Sequence, residues 1–107
     1  MAIAIETLKK IGGKEWQKGD HHRIYFNNLT GWYGLETTHY NTGNISSATL
    51  DGERISNSRA RKIEGRLSYG KLYYNVKDGK FYYNGLDRDD FDTLIARIKA
   101  RAAEVNA

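Results

Sequence analysis

Tyrosines and lysines crowd one stretch of the chain, residues 71–84, which reads Lys-Leu-Tyr-Tyr-Asn-Val-Lys-Asp-Gly-Lys-Phe-Tyr-Tyr-Asn. Their chemistry is that of recognition. Aromatic rings offer stacking surfaces to bases or anchor a protein partner, and lysines neutralise phosphates. The Asp78-Gly79 pair is a strong hairpin signal, because a two-residue type I′ turn needs positive φ at both central residues. Closing that turn with Lys77 opposite Lys80 sets Val76 against Phe81, Asn75 against Tyr82 and Tyr74 against Tyr83. Side chains alternate between faces along a strand. Leu72, Tyr74, Val76, Phe81 and Tyr83 then share a core face, and Lys71, Tyr73, Asn75, Lys77, Lys80, Tyr82 and Asn84 share the other. Tyrosine is also a good strand former in its own right, with cross-strand packing worth up to about 1 kcal/mol per pair.

A second concentration of chemistry is cationic. Arg54, Arg59, Arg61, Lys62, Arg66 and Lys71 face only Glu53 and Glu64 between positions 53 and 71, and this local excess accounts for the formal charge of +4 carried by the whole chain. On a helix, Arg59, Lys62 and Arg66 form a basic stripe beside an apolar one made of Ala60, Ile63 and Leu67. Such a stripe either covers the helix's own core edge with its long side chains or grips phosphates.

Catalytic and metal chemistry find little support. His21 and His22 are adjacent, so on a strand they point to opposite faces and do not converge on one ion. His39 stands apart. Asp87, Asp89 and Asp90 suit a helix start, where carboxylates complement the dipole, better than a hard-cation cage. No nucleophile elbow or phosphate-binding loop is present, since the Gly12-Gly13 and Gly31 to Gly34 stretches lack the required strand, glycine turn and helix order. No enzyme activity, metal or cofactor is therefore expected.

The chain has 107 residues, a length that suits one domain, residues 1–107, and it contains neither cysteine nor proline. A disulfide framework is thus excluded and a reducing, cytoplasmic setting is permitted. Nothing at the start of the sequence resembles a secretory signal, and the two sequons at Asn28 and Asn44 read as loop residues. No apolar run approaches a membrane span. The sequence pI of about 9.3 leans toward polyanionic partners.

The elements that must position these residues follow from periodicity and turn chemistry. Residues 4–11 suit a short helix ended by Gly12-Gly13. Residues 14–18 and 21–26 flank Gly19-Asp20 as a hairpin. Residues 34–40 and 45–50 are strands separated by a turn, and Asp51-Gly52 closes Leu50 onto Glu53 with Ala48 opposite Ile55. Ser56-Asn57-Ser58 caps a helix over residues 59–67. Asp87 caps a final helix, Asp90 reaches back to it, and Leu86 and Phe91 form the staple. Phe91, Leu94, Ile95, Ile98, Ala102 and Val105 give that helix its apolar stripe. Trp32 and Tyr33, between glycines, suit a plug under a loop.

The fold class expected is α+β: a mainly antiparallel sheet of hairpins, a short basic helix inserted mid-chain and a C-terminal helix packed on one sheet face. The function expected is a small non-catalytic module that contacts nucleic acid or a nucleoprotein through Arg59, Lys62, Arg66, Lys71, Tyr73, Lys77, Lys80 and Tyr82. The alternative is a small protein-binding inhibitor or adaptor, of the kind phages and other mobile elements encode, which occludes a partner surface with the same tyrosines.

Overall fold

The structure is a computed structural model that describes residues 3–106. The α+β fold expected from the sequence is the one adopted. In chain order the elements are α1 (Ile5–Lys10), β1 (Lys14–Lys18), β2 (His21–Phe26), α2 (Leu29–Trp32), β3 (Leu35–His39), β4 (Ile45–Leu50), β5 (Glu53–Arg54), α3 (Asn57–Leu67), β6 (Lys71–Asn75), β7 (Lys80–Asn84) and α4 (Arg88–Asn106). The strands form two antiparallel sheets, a four-stranded one in the order β1-β2-β6-β7 and a three-stranded one in the order β3-β4-β5.

Local signals explain most of the boundaries. The two-residue turn between Lys18 and His21 places positive φ on Gly19, whereas the turn between Leu50 and Glu53 has it at both Asp51 and Gly52, as a type I′ hairpin requires. Ser56 caps α3 by accepting a hydrogen bond from the Arg59 N–H at 3.1 Å, so the helix begins two residues earlier than expected. The short helix α2 was not foreseen. It makes the 29–33 segment a plug, with Trp32 edge-on to Phe26 at 5.8 Å.

One inner layer unites the two sheets. Ile24, Phe26, Leu72 and Tyr74 on the four-stranded sheet are buried with Leu94 and Ile98 of α4, and Tyr83 stacks on Phe91 at 4.1 Å. Ala60, Ile63 and Leu67 bury the predicted stripe of α3, and the Asn57 side chain donates to the Ile45 carbonyl of β4 at 3.2 Å. Val105 departs from its expected place, since it is 37% exposed near the helix end.

Long-range ion pairs fix the layers. Arg97 of α4 grips Asp51 of the β4-β5 turn in a bidentate pair of 2.6 and 2.8 Å. Gly34 passes directly beneath, at φ +96°, where an added Cβ would lie 2.2 Å from an Asp51 oxygen. Only glycine satisfies both demands. Among the described residues no helix is long and apolar enough to cross a membrane.

The hairpin of β6 and β7 differs from its predicted register. Tyr73 pairs with Tyr82, Leu72 with Tyr83, Tyr74 with Phe81 and Asn75 with Lys80, leaving a four-residue loop at positions 76–79. Three hydrogen bonds account for it. The Asn75 side chain accepts from the Lys77 N–H at 3.0 Å, the Asp78 side chain accepts from the Lys80 N–H at 3.0 Å, and the Val76 N–H donates to the His22 carbonyl on β2 at 3.0 Å. Val76 is thus drawn toward the neighbouring strand instead of pairing with Phe81. The slip is by two residues, so every side chain keeps its face.

Candidate nucleic-acid interface

The outward face of the four-stranded sheet is built by alternation and register. Lys14 lies opposite Tyr25, Trp16 opposite Arg23 and Lys18 opposite His21; Tyr25 then faces Tyr73 and Arg23 faces Asn75; Tyr73 faces Tyr82. Four aromatic rings consequently cross all four strands in one row. Trp16 meets Tyr25 edge-on at 6.2 Å, Tyr25 lies 5.2 Å from Tyr73, and Tyr73 stacks on Tyr82 at 5.5 Å and 17°. Trp16 and Tyr82, at the two ends of the row, are each 39% exposed, and the hydrophobic core among the described residues includes none of the four.

Arg23 occupies the middle of this face. Its guanidinium lies 4.5 Å from the Tyr73 ring centre and 5.5 Å from that of Trp16, and it donates to the Tyr25 hydroxyl at 3.0 Å. Two ring faces and one hydroxyl hold it in place. That hydroxyl contact raises the already high pKa of Arg23, so the group is cationic at every working pH. Lys14, Lys18, Lys71 and Lys80 surround the row, and the strands contribute no carboxylate to this face. His21 stands here beside Trp16 at 6.5 Å, whereas His22 points to the opposite face and meets Glu15 at 2.7 Å.

The Tyr82 hydroxyl donates to the Asp78 carboxylate in the hairpin loop. This contact lowers the Asp78 pKa below the ordinary aspartate range and raises that of the Tyr82 phenol. A carboxylate with a depressed folded-state pKa contributes stability above its unfolded pKa, about 3.9, and loses it as pH falls through the folded value. Tyr82→Phe should therefore return Asp78 toward the ordinary range in an NMR pH titration, with the ring still stacked on Tyr73.

The aromatic row runs into a cleft of about 770 Å³ between the sheet and α3. Trp16, Tyr25 and Lys71 form its sheet wall, Asn27 and Asn28 its end, and Glu64 of α3 with Ser68, the residue just after the helix, the facing wall. Asn28 adopts φ +55°, a left-handed conformation that asparagine tolerates better than most residues. Tyr69 lies beside the cleft in sequence and is 89% exposed.

The structure places the sequence-predicted residues in two groups. Lys71, Tyr73, Lys80 and Tyr82 share the sheet face, and Lys77 is exposed in the loop at its edge. Arg59, Lys62 and Arg66 lie elsewhere. At about 100° per residue, Glu64 and Ser68 occupy one flank of the buried stripe of α3 and these three cations the other, away from the cleft. Arg66 is further committed to Asp90, to which it donates at 2.9 and 3.2 Å, and that contact raises its pKa. Asp90, expected to reach back to the helix cap, is buried in this ion pair instead.

Trp16, Arg23 and Tyr25 were missing from the predicted set, although the Gly19-Asp20 hairpin signal already fixes the three on one face. Among the described residues no group of histidine and carboxylate side chains is arranged to hold a metal ion. The chain matches no protein-family model, no curated protein and no solved structure.

Proposed function

We propose that this chain is a binding module for single-stranded nucleic acid that lays the strand across its open four-stranded sheet. The observation that carries this reading is the unbroken row Trp16, Tyr25, Tyr73 and Tyr82, set among Lys14, Arg23, Lys71 and Lys80. Single strands expose base faces, and stacking each on an aromatic ring is worth about 1–3 kcal/mol with little regard to sequence. Open sheets bearing such rings are a recurring platform for two or three unpaired bases. A duplex hides its base faces, so the same surface favours single strands.

The lysines at the margins of the row suit phosphates, whose neutralisation releases counterions and makes affinity fall with salt. Arg59 and Lys62, on the far flank of α3, do not belong to this surface. The test is fluorescence anisotropy of labelled single- and double-stranded DNA and RNA at two salt concentrations. Single strands should bind more tightly than duplexes, and Lys71→Ala and Lys80→Ala should each flatten the salt slope by about one phosphate contact. Absence of binding at low salt overturns the reading and turns the same rings into candidate anchors for a protein partner.

A further inference from the structure

The cleft at the end of the aromatic row differs in character from the face that leads to it. Among its lining residues Lys71 is the one cation and Glu64 the one carboxylate, within a wall otherwise made of aromatic and aliphatic side chains with a few amides and hydroxyls. A carboxylate repels a phosphate. It does accept two parallel hydrogen bonds from a planar group that presents adjacent N–H donors, and among the bases guanine does so on its Watson–Crick edge through N1–H and the exocyclic N2 amine.

Glu64 is positioned for such a role. Its Oε2 lies 3.6 Å from His39 Nε2, and its backbone carbonyl accepts from the hydroxyl of Ser68, the residue that ends the helix. The β-bulge between Thr38 and His39 marks the place where β3 shifts register at that histidine. Across the cleft, Trp16 and Tyr25 offer the stacking wall that a base entering edge-first toward Glu64 requires, and Lys71 stands at the same wall to meet its phosphate.

From this juxtaposition we infer that the cleft is a base-selective subsite for an unpaired guanine, read by the Glu64 carboxylate. The inference rests on the proposed single-strand binding and adds selectivity at one position to a platform that is otherwise tolerant of sequence.

The experiment compares two labelled probes, an oligothymidylate of about 12 nucleotides, within the range of single-strand sites, and the same oligomer with one central guanine. A third carries inosine there, which lacks the N2 amine. A bidentate contact to a base commonly discriminates by about tenfold or more. The guanine probe should bind about tenfold more tightly than the thymine probe, inosine should lose much of that gain, and Glu64→Gln should abolish it while leaving oligothymidylate affinity unchanged or raised. Equal affinity for the guanine and thymine probes, or a guanine preference that survives Glu64→Gln, overturns the inference and leaves the single-strand reading standing. Failure of every probe to bind overturns both.

Discussion

Tyr73→Ala should weaken binding of an oligothymidylate by about fivefold to 150-fold, the factor that corresponds to one lost stacking surface of about 1–3 kcal/mol. Tyr73 is the position where the effect is largest, because the other parts of the platform depend on it. It stacks on Tyr82, touches Tyr25 and carries the Arg23 guanidinium over its face. Removing the ring deprives Tyr82 of its stacking partner, uncovers one side of Tyr25 and takes away the nearer of the two ring faces that hold Arg23, so three neighbours lose support together. The cost to folding should be modest, since the ring is half-buried by neighbours on an open face and cross-strand pairs contribute about 0.2–1 kcal/mol each. Tyr73→Phe separates stacking from hydrogen bonding. It keeps the ring and should bind nearly as well as the natural chain in the same anisotropy titration. Unchanged affinity in Tyr73→Ala, together with loss in Lys71→Ala, would identify a purely electrostatic surface.

The half of this platform contributed by β6 and β7 was legible from residues 71–84 alone, for a reason specific to strands. The side-chain period is two, so the structure's two-residue slip from the type I′ register left Tyr73 and Tyr82 on the predicted face. The slip itself was not legible in the hairpin, because one of its causes is remote: the Val76 N–H is taken by the His22 carbonyl, more than fifty positions away in sequence. The same remoteness hid the other half of the platform. The pairing of Tyr25 with Tyr73 depends on β2 lying beside β6, and no local signal in either strand specifies that neighbour.

Helix α3 shows the complementary limit. Its cap at Ser56 and its buried stripe were written in local spacing, and both are present. Which of its polar flanks faces a ligand was not, because that depends on what packs against each side. The flank with Glu64 and Ser68 borders the cleft, and the flank with Arg66 is turned toward α4 by Asp90. A basic stripe read from a helical wheel therefore combined a structural arginine with two surface cations. Asp90 had the opposite fate, since its place in the first turn of α4 suggested a cap while its partner lay on another helix.

Arg66→Ala should accordingly act on folding rather than on binding, with a loss of about 2–4 kcal/mol in urea unfolding, close to the range for breaking a buried ion pair from one side. The asymmetry of the pair sets which partner matters more. The Asp90 side chain is 7% exposed and that of Arg66 is 39% exposed, so removing the arginine strands a carboxylate inside, whereas removing the aspartate leaves a guanidinium that can turn to water. Asp90→Ala should therefore cost less than Arg66→Ala, and Arg66→Lys should fall between the natural chain and Arg66→Ala because an ammonium cannot reproduce the two-bond fork. For a chain of this length, 2–4 kcal/mol corresponds to a melting temperature lower by about 10 °C or more. At a temperature where Arg66→Ala is still folded, its affinity for oligothymidylate and its salt slope should equal those of the natural chain. A flattened slope with undiminished stability would instead return Arg66 to the phosphate-binding surface and join the helix to the sheet as one site.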